Sequence, residues 1–273
     1  MTTKIRNVLS IAGSDPSGGA GIQADIKAIT ARGCYAMAAL TALTAQNTQG
    51  VSWVSPLDPD FVAEQIRMVF ADIRVDAVKI GMIANAEVAE AVARALTQHR
   101  GVPVVLDPVM IAKGGAALLD PQAVAVLKER LLPLATLLTP NLPESAALLG
   151  EPDAQSRDAM TAQASRLATL GPAAILMKGG HLAGQDSPDC LVSGEEICWF
   201  EGARIAGGNT HGTGCSLSSA IAAELAKGQP LPGAVASAKV WLQQAIETAD
   251  RLEVGQGHGP VHHFHALWRA DVI

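Results

Sequence analysis

Aromatic side chains make up only 3% of the 273 residues, with a single tyrosine. That is too few for the stacking platforms on which single-stranded nucleic acid is held. Charge is also sparse: Asp, Glu, Lys and Arg together are 17%, the net charge is −6, and no basic run occurs. Nucleic-acid binding asks for the opposite, so no nucleic-acid partner is expected. Long apolar runs are missing too. Stretches such as AAILM and ATLL stop far short of a membrane span, so no membrane partner is expected. The start MTTKIRNVLSIAGS is basic, but its apolar stretch is short and ends at Gly13-Ser14, so it reads as a first strand rather than a secretion signal. Cys34, Cys190, Cys198 and Cys215 form no C-x-x-C pair. Zinc and dithiol chemistry are therefore unsupported, and a cytoplasmic enzyme with reduced thiols is the expectation.

What is present is apolar. Ala, Val, Ile, Leu, Met and the other hydrophobic residues reach 49%, which excludes disorder. The length suits one large α/β domain, and no linker or repeat breaks it, so residues 1–273 read as a single domain. A short apolar run followed by a helical pattern recurs along the chain. VLSIAG precedes GIQADIKAITARG, and MAALTALTAQ precedes DPDFVAEQIRMVFADI. AVKIGMI, VPVVLDPV and ATLLTPN each precede a helical stretch in the same way, and AAILMKGG follows one. The runs are apolar throughout rather than alternating, so both faces should be buried. Strand, helix, strand at this spacing predicts a central, mostly parallel sheet with helices on both faces, a three-layer α/β/α fold. DCLVSG and ICWFEG read as a late hairpin, followed by helices from about Gly212 and about Pro232.

Open sheets of this kind bind ligands at the carboxyl ends of their strands. Gly13-Ser14-Asp15, Gln46, Gly81-Met82, Asp107, Asn141 and Lys178 all fall there. GNTHGTGC opens a helix with two glycines spaced by one residue, Gly212 and Gly214. Free N–H groups at a helix start bind anions, and glycine lets phosphate come close. The bland reading is a glycine turn with Thr210 or Thr213 as an ordinary cap. Asn141 with Glu144 three residues on is a capping box, or a Mg²⁺ handler, since that ion takes few carboxylates and keeps waters. Asp107 either begins a turn or adds charge to the same rim. Lys178 either reaches water or neutralises a transferring phosphate. Gln46 offers a donor beside an acceptor, which matches an aminopyrimidine edge. Asp25 sits where it can complement a helix dipole. GHGPVHHFH holds four of the seven histidines without the flanking carboxylates or regular spacing of a metal site.

Taken together, GSDPSGGAGIQADIK, TALTAQNTQGV, DAVKIGMI, LDPVM, TPNLPE, LMKGGH and NTHGTGCSLSSAIAA resemble the hydroxymethylpyrimidine/phosphomethylpyrimidine kinases of thiamin biosynthesis, members of the ribokinase-like superfamily. The resemblance covers nearly the whole chain in order. It implies that ATP with Mg²⁺ phosphorylates 4-amino-5-hydroxymethyl-2-methylpyrimidine, and that the same site then converts the monophosphate to the diphosphate. It assigns Gln46 to the pyrimidine edge and Gly13, Asp25, Met82 and Val109 to the ring lining. Lys178, Thr210, Thr213 and Asn141 would meet the nucleotide. Glu144 and Asp107 would serve Mg²⁺ directly or through water. Gly212 and Gly214 would form an anion hole, and Cys215 would stand where related sugar kinases carry an aspartate base. A thiol at a helix start has its pKa lowered, so Cys215 is expected to accept a proton near neutrality, ahead of neutral positioning and far ahead of covalent catalysis. AKGGAALLD, residues 112–120, reads as a flap over the site. Homodimers are common in the family. A pyridoxal/pyridoxine kinase and a non-catalytic pyrimidine sensor are the competing readings.

Overall fold

The computed structural model describes residues 4–110, 121–205 and 207–268. The proposed flap at 112–120 therefore lies outside the described residues. Strand β1 (Asn7–Ala12) leads into helix α1 (Gly21–Ala31) and strand β2 (Tyr35–Leu40). A hairpin of β3 (Ala42–Asn47) and β4 (Gly50–Pro56) follows, then α2 (Pro59–Asp72), β5 (Ala77–Ile80), α3 (Ala86–Thr97) and β6 (Val104–Leu106). Next come α4 (Pro121–Val126), β7 (Leu137–Leu138), α5 (Leu142–Leu149), α6 (Arg157–Ala168) and β8 (Ile175–Lys178). The chain closes with β9 (Asp189–Ser193), β10 (Glu196–Phe200), α7 (Thr213–Ala226) and α8 (Leu231–Glu247).

Eight strands form one sheet in the order β10-β9-β8-β7-β6-β5-β1-β2. From β2 through β8 all pairs are parallel, and the late hairpin β9–β10 is antiparallel. Alternate residues of each strand face opposite layers. Leu9, Ile11, Val78, Ile80, Leu106 and Ile175 pack on one side against side chains of α2, α3 and α6. Val8, Ala77, Val105, Leu137 and Leu176 pack on the other against α1, α7 and α8. Both faces are covered, which is why the strands carry no polar alternation.

Helix starts divide into two kinds. Asp58, Asn85, Asn141 and Ser156 cap α2, α3, α5 and α6 with side-chain oxygens. α1 and α7 begin without a side-chain cap. Their first N–H groups, left without that oxygen, lie on the rim where the parallel strands end.

Two readings of the sequence need correction. MAALTALTAQ is not one strand. It breaks at the fully buried Thr41, whose N–H bonds Ala12 O at 3.0 Å and whose hydroxyl donates to Met82 O at 2.6 Å. These bonds tie the chain to the ends of β1 and β5, and β3 then leaves the sheet to pair antiparallel with β4. VSWVSP, to which the apolar pattern gave no element, lies in β4. PQAVAVLKERLLPLA is not a uniform helix either. It passes from α4 into a π-helical turn at Leu127–Leu131 and a 3-10 turn at Leu132–Leu134. Pro133 has no N–H to continue α-helical pairing.

Candidate active site

The strand ends and the start of α7 enclose a cleft of about 860 Å³. Lys178, the last residue of β8, is held there by two carboxylates. Its Nζ lies 2.8 Å from Asp107 Oδ1 and 3.8 Å from Glu144 Oε2. Asp107 follows β6 and also accepts from the Thr139 hydroxyl at 3.3 Å. Glu144 is fixed by the capping box: its Oε2 accepts from Asn141 N–H, and Asn141 Oδ1 accepts from Glu144 N–H, both at 2.8 Å. The cap and the rim are thus one feature, and the bland reading of Asn141-Leu-Pro-Glu144 holds alongside the functional one. Gly214 touches the group from α7: a side chain there would come within 3.3 Å of Lys178 Nζ and 3.4 Å of Asp107 Oδ2. Thr210 and Thr213 line the cleft, with the Thr213 hydroxyl donating to Thr210 O at 2.6 Å.

Electrostatics follow from this crowding. Burial would lower the Lys178 pKa, but Asp107 and Glu144 outweigh it and hold the ammonium charged. Glu144 moves the other way. Burial raises it from 4.5 to about 7, Lys178 offsets part of that, and Asp107 adds to it. Two carboxylates beside one lysine form a donor set that suits Mg²⁺, which takes one or two carboxylates together with phosphate oxygens.

At the other end of the cleft, Gly13, Met82, Val109 and Gln46 form one wall. Gln46 Nε2 lies 3.3 Å from His211 Nε2, and His211 Nε2 lies 2.8 Å from Asp15 Oδ2. Asp25 is not on that wall. It is fully buried beneath it, accepting from Ser10, Ser219 and the Lys79 ammonium at 2.6–2.8 Å. The sequence reading of Asp25 as ring lining is corrected by its partner: a charged lysine inside the otherwise apolar strand AVKI needs a buried counter-charge.

Cys215 is half-buried between the two ends, and its sulfur is bonded by Gly21 N–H. Burial pushes the thiol up to about 11; Lys79 pulls it down, while Asp25 and Asp107 push it up. The expectation of a thiol lowered toward neutrality at the helix start does not hold. Loss of water outweighs the helix end.

Known proteins share this arrangement of the chain. The family model described as phosphomethylpyrimidine kinase matches residues 15–262. The chain belongs to that family. A hydroxymethylpyrimidine/phosphomethylpyrimidine kinase of Escherichia coli (strain K12) is 53% identical over 262 residues, 96% of this chain and 98% of that protein. The crystal structure of a phosphomethylpyrimidine kinase from Clostridium difficile 630 superimposes with a TM-score of 0.79 at 42% identity, covering 89% of this chain and all of that one. An ADP complex of Bacillus subtilis pyridoxal kinase superimposes with a TM-score of 0.88 at 35% identity, covering 96% of this chain and 99% of that one. The fold is therefore shared between pyrimidine and pyridoxal kinases.

Sequence reasoning missed four residues in or beneath this cleft. His211 lay inside a quoted motif without a role. Lys79 was legible as a charge within an apolar strand. The pair Lys239–Asp189, 2.7 Å apart on the cleft wall, joins α8 to β9 across 50 residues and left no local signal.

Two measurements check the electrostatics. Lys79→Met leaves Asp25 buried without its cation and is expected to destabilise the fold by about 3–5 kcal/mol in denaturant unfolding. The double variant Lys79→Met/Asp25→Asn should recover much of that loss. For Glu144, a raised folded-state pKa means that stability falls as pH rises from about 4.5 to about 7, because the folded state then binds the extra proton. Glu144→Gln should therefore raise Tm by about 2–4 °C at pH 8 and leave it unchanged at pH 4, with scanning calorimetry as the readout.

Proposed function

We propose that the protein uses ATP and Mg²⁺ to phosphorylate the hydroxymethyl group of 4-amino-5-hydroxymethyl-2-methylpyrimidine, and then phosphorylates the monophosphate to the diphosphate. The observation that carries this reading is the Lys178–Asp107–Glu144 group set against the uncapped start of α7, with the Gln46 carboxamide at the opposite end of one cleft. Phosphoryl transfer needs positioning and charge neutralisation more than covalent chemistry. Lys178, the N–H groups from Gly212 to Cys215, and Thr210 and Thr213 would hold phosphate oxygens. Asn141 orients Glu144, and Glu144 with Asp107 would hold Mg²⁺, which supplies neutralisation of phosphate charge. Gly13, Met82 and Val109 would flank the ring.

Cys215 stands between the phosphate and ring ends, where the acceptor oxygen arrives. A thiol pushed up to about 11 is neutral at pH 7. The anionic monophosphate can therefore take the same seat without a fixed like charge beside it. The alcohol must lose a proton, and the small thiolate fraction serves that step as the base. All four cysteines are unpaired, and no helix among the described residues is long and apolar enough to cross a membrane. We place the reaction in the cytoplasm, where reduced thiols and ATP coincide. A homodimer is supported by Leu43 and Trp53, exposed on one face of the hairpin beside Ala45. Side activity on pyridoxal is a second reading, favoured by the 0.88 TM-score to a pyridoxal kinase.

A coupled assay of ADP release, run on the alcohol and on its monophosphate, tests the proposal. Turnover of both is expected, with the pyrimidine preferred over pyridoxal at equal concentration; no turnover of either would leave a binding protein. The alcohol step's kcat/KM should climb with pH by about tenfold per unit below the thiol pKa, while the monophosphate step should not. Cys215→Ser should flatten that climb and impair the alcohol step more. Equal losses in both steps would remove the base role. Cys215→Asp should keep the first step and weaken the second.

A further inference from the structure

We propose that the glycine-rich loop 255–260 positions Gln46 for the substrate ring, by clasping the tip of the β3–β4 hairpin to the segment that leads into α7. The proposal rests on the reading of Gln46 as the residue that meets the ring. It gives a task to the stretch GQGHGPVHHFH, whose histidines lack the spacing of a metal site.

The hairpin needs support from outside. It has two strands, all its strand residues but Ala42 are partly or fully exposed, and such a ribbon is marginal in water on its own. Its base is tied to the loop after β1: Ser14 N–H bonds Ala42 O at 2.9 Å, and the Thr44 hydroxyl donates to Ser14 O at 2.8 Å. Beyond that base the pairing slips. Ala45 lies opposite Trp53 but Gln46 lies opposite Val51, so Ser52 is an extra residue on β4. A bulge of this kind bends the ribbon and re-aims the side chains beside it. Gln46 stands at the bend, and Thr48 stands at the tip two residues on.

The tail loop takes hold of that tip. His258 N–H bonds Thr48 O at 2.9 Å, and Gly257 N–H bonds Thr48 Oγ1 at 3.1 Å. The same loop holds the entry to α7. Gly259 O accepts from the backbone N–H of His211 at 3.0 Å, and His258 Nδ1 lies 3.3 Å from Gly208 O. The chain that follows anchors the loop. Val261, His262 and His263 are buried; the backbone N–H of His262 bonds Ala245 O of α8 at 2.9 Å, and His263 Nε2 lies 2.9 Å from Ser216 Oγ of α7. Glycine permits the grip. A Cβ at Gly257 would stand 2.1 Å from Thr48 O and 2.9 Å from Gln49 N, backbone atoms that no side-chain movement can clear. The φ of Gly257 is outside the left-handed region, so alanine there adds this contact without backbone strain. Ordinary contact would be restored only by parting the two chains by about 1 Å. The anchored loop yields less readily than the ribbon, so the tip lifts and carries Gln46 with it.

The test is the kinase assay with the pyrimidine alcohol and ATP varied in turn. Gly257→Ala should raise KM for the pyrimidine about tenfold, the cost of one lost hydrogen bond to the ring. KM for ATP should hold, because the new side chain faces the hairpin and not the phosphate residues. A merely structural role would lower the active fraction, which reduces apparent kcat and moves neither KM; that result overturns the proposal. Should the alanine variant not fold, Thr48→Val replaces it. It sets a methyl group against the Gly257 N–H, and the same selective rise in KM, by about threefold, is expected. An unchanged KM in that variant also overturns the proposal. Gln46→Ala separates the two failures. If it leaves KM for the pyrimidine intact, the reading of Gln46 is wrong. If it raises KM, the double variant Gln46→Ala/Gly257→Ala decides the clasp. A clasp that acts through the carboxamide adds little to the single loss, whereas losses that multiply show that the loop does not act through Gln46.

Discussion

The cleft depends on one backbone contact. The loop after β1 and the loop before α7 meet where Gly212 lies against the carbonyl of Gly19. A side chain at Gly212 would collide with that carbonyl, and its φ of +75° is one that glycine adopts without strain. This approach brings Asp15 to His211, Gly21 N–H to the Cys215 sulfur, and the bare start of α7 to the strand ends. α1 and α7, which both start without a side-chain cap, are the helices it presses together. A side chain at this junction would push the start of α7 away from the loop after β1.

Beneath and beside that contact lie two lysines in different settings. Lys79 is fully buried, with both oxygens of Asp25 at 2.8 Å. Its charge is matched inside the protein by Asp25. Lys178 sits at the rim with Asp107 on one side and Glu144 at longer range on the other. At both, the carboxylate partners outweigh the cost of burial and keep the ammonium charged, yet the outcomes differ in use. The first pair fixes the floor under Cys215. The second holds a cation and two carboxylates in a small space that an incoming phosphate and a divalent ion would relieve.

Much of this was legible in the sequence. The unbroken apolar strands announced a sheet covered on both faces, and the glycine, lysine and carboxylate positions at strand ends announced the rim. Three of the errors share a cause, a partner distant in sequence. Asp25 was assigned to the ring because Lys79, 54 residues on, was not recognised as its counter-ion. The Cys215 thiol was expected to follow its helix end, whereas burial in α7, which packs against α1, β1 and β5, outweighs it. Thr41 split a strand because its hydroxyl found Met82 O, 41 residues away. Local pattern carries element type and strand-end chemistry; it does not carry which side chains close over one another.

The departure of β3 from the sheet has an evolutionary consequence. The Gln46 carboxamide, proposed to meet the ring, stands on a two-stranded hairpin outside the main sheet, while the residues proposed to hold phosphate stand at the ends of the main sheet and on α7. On that reading the amide that meets the ring lies on its own piece of chain, although Met82 and Val109 would flank the ring from the same strand ends that carry Asp107. Drift in the hairpin can retune the acceptor while the phosphate floor is inherited unchanged. A fold divided in this way can pass between vitamin precursors by editing one ribbon.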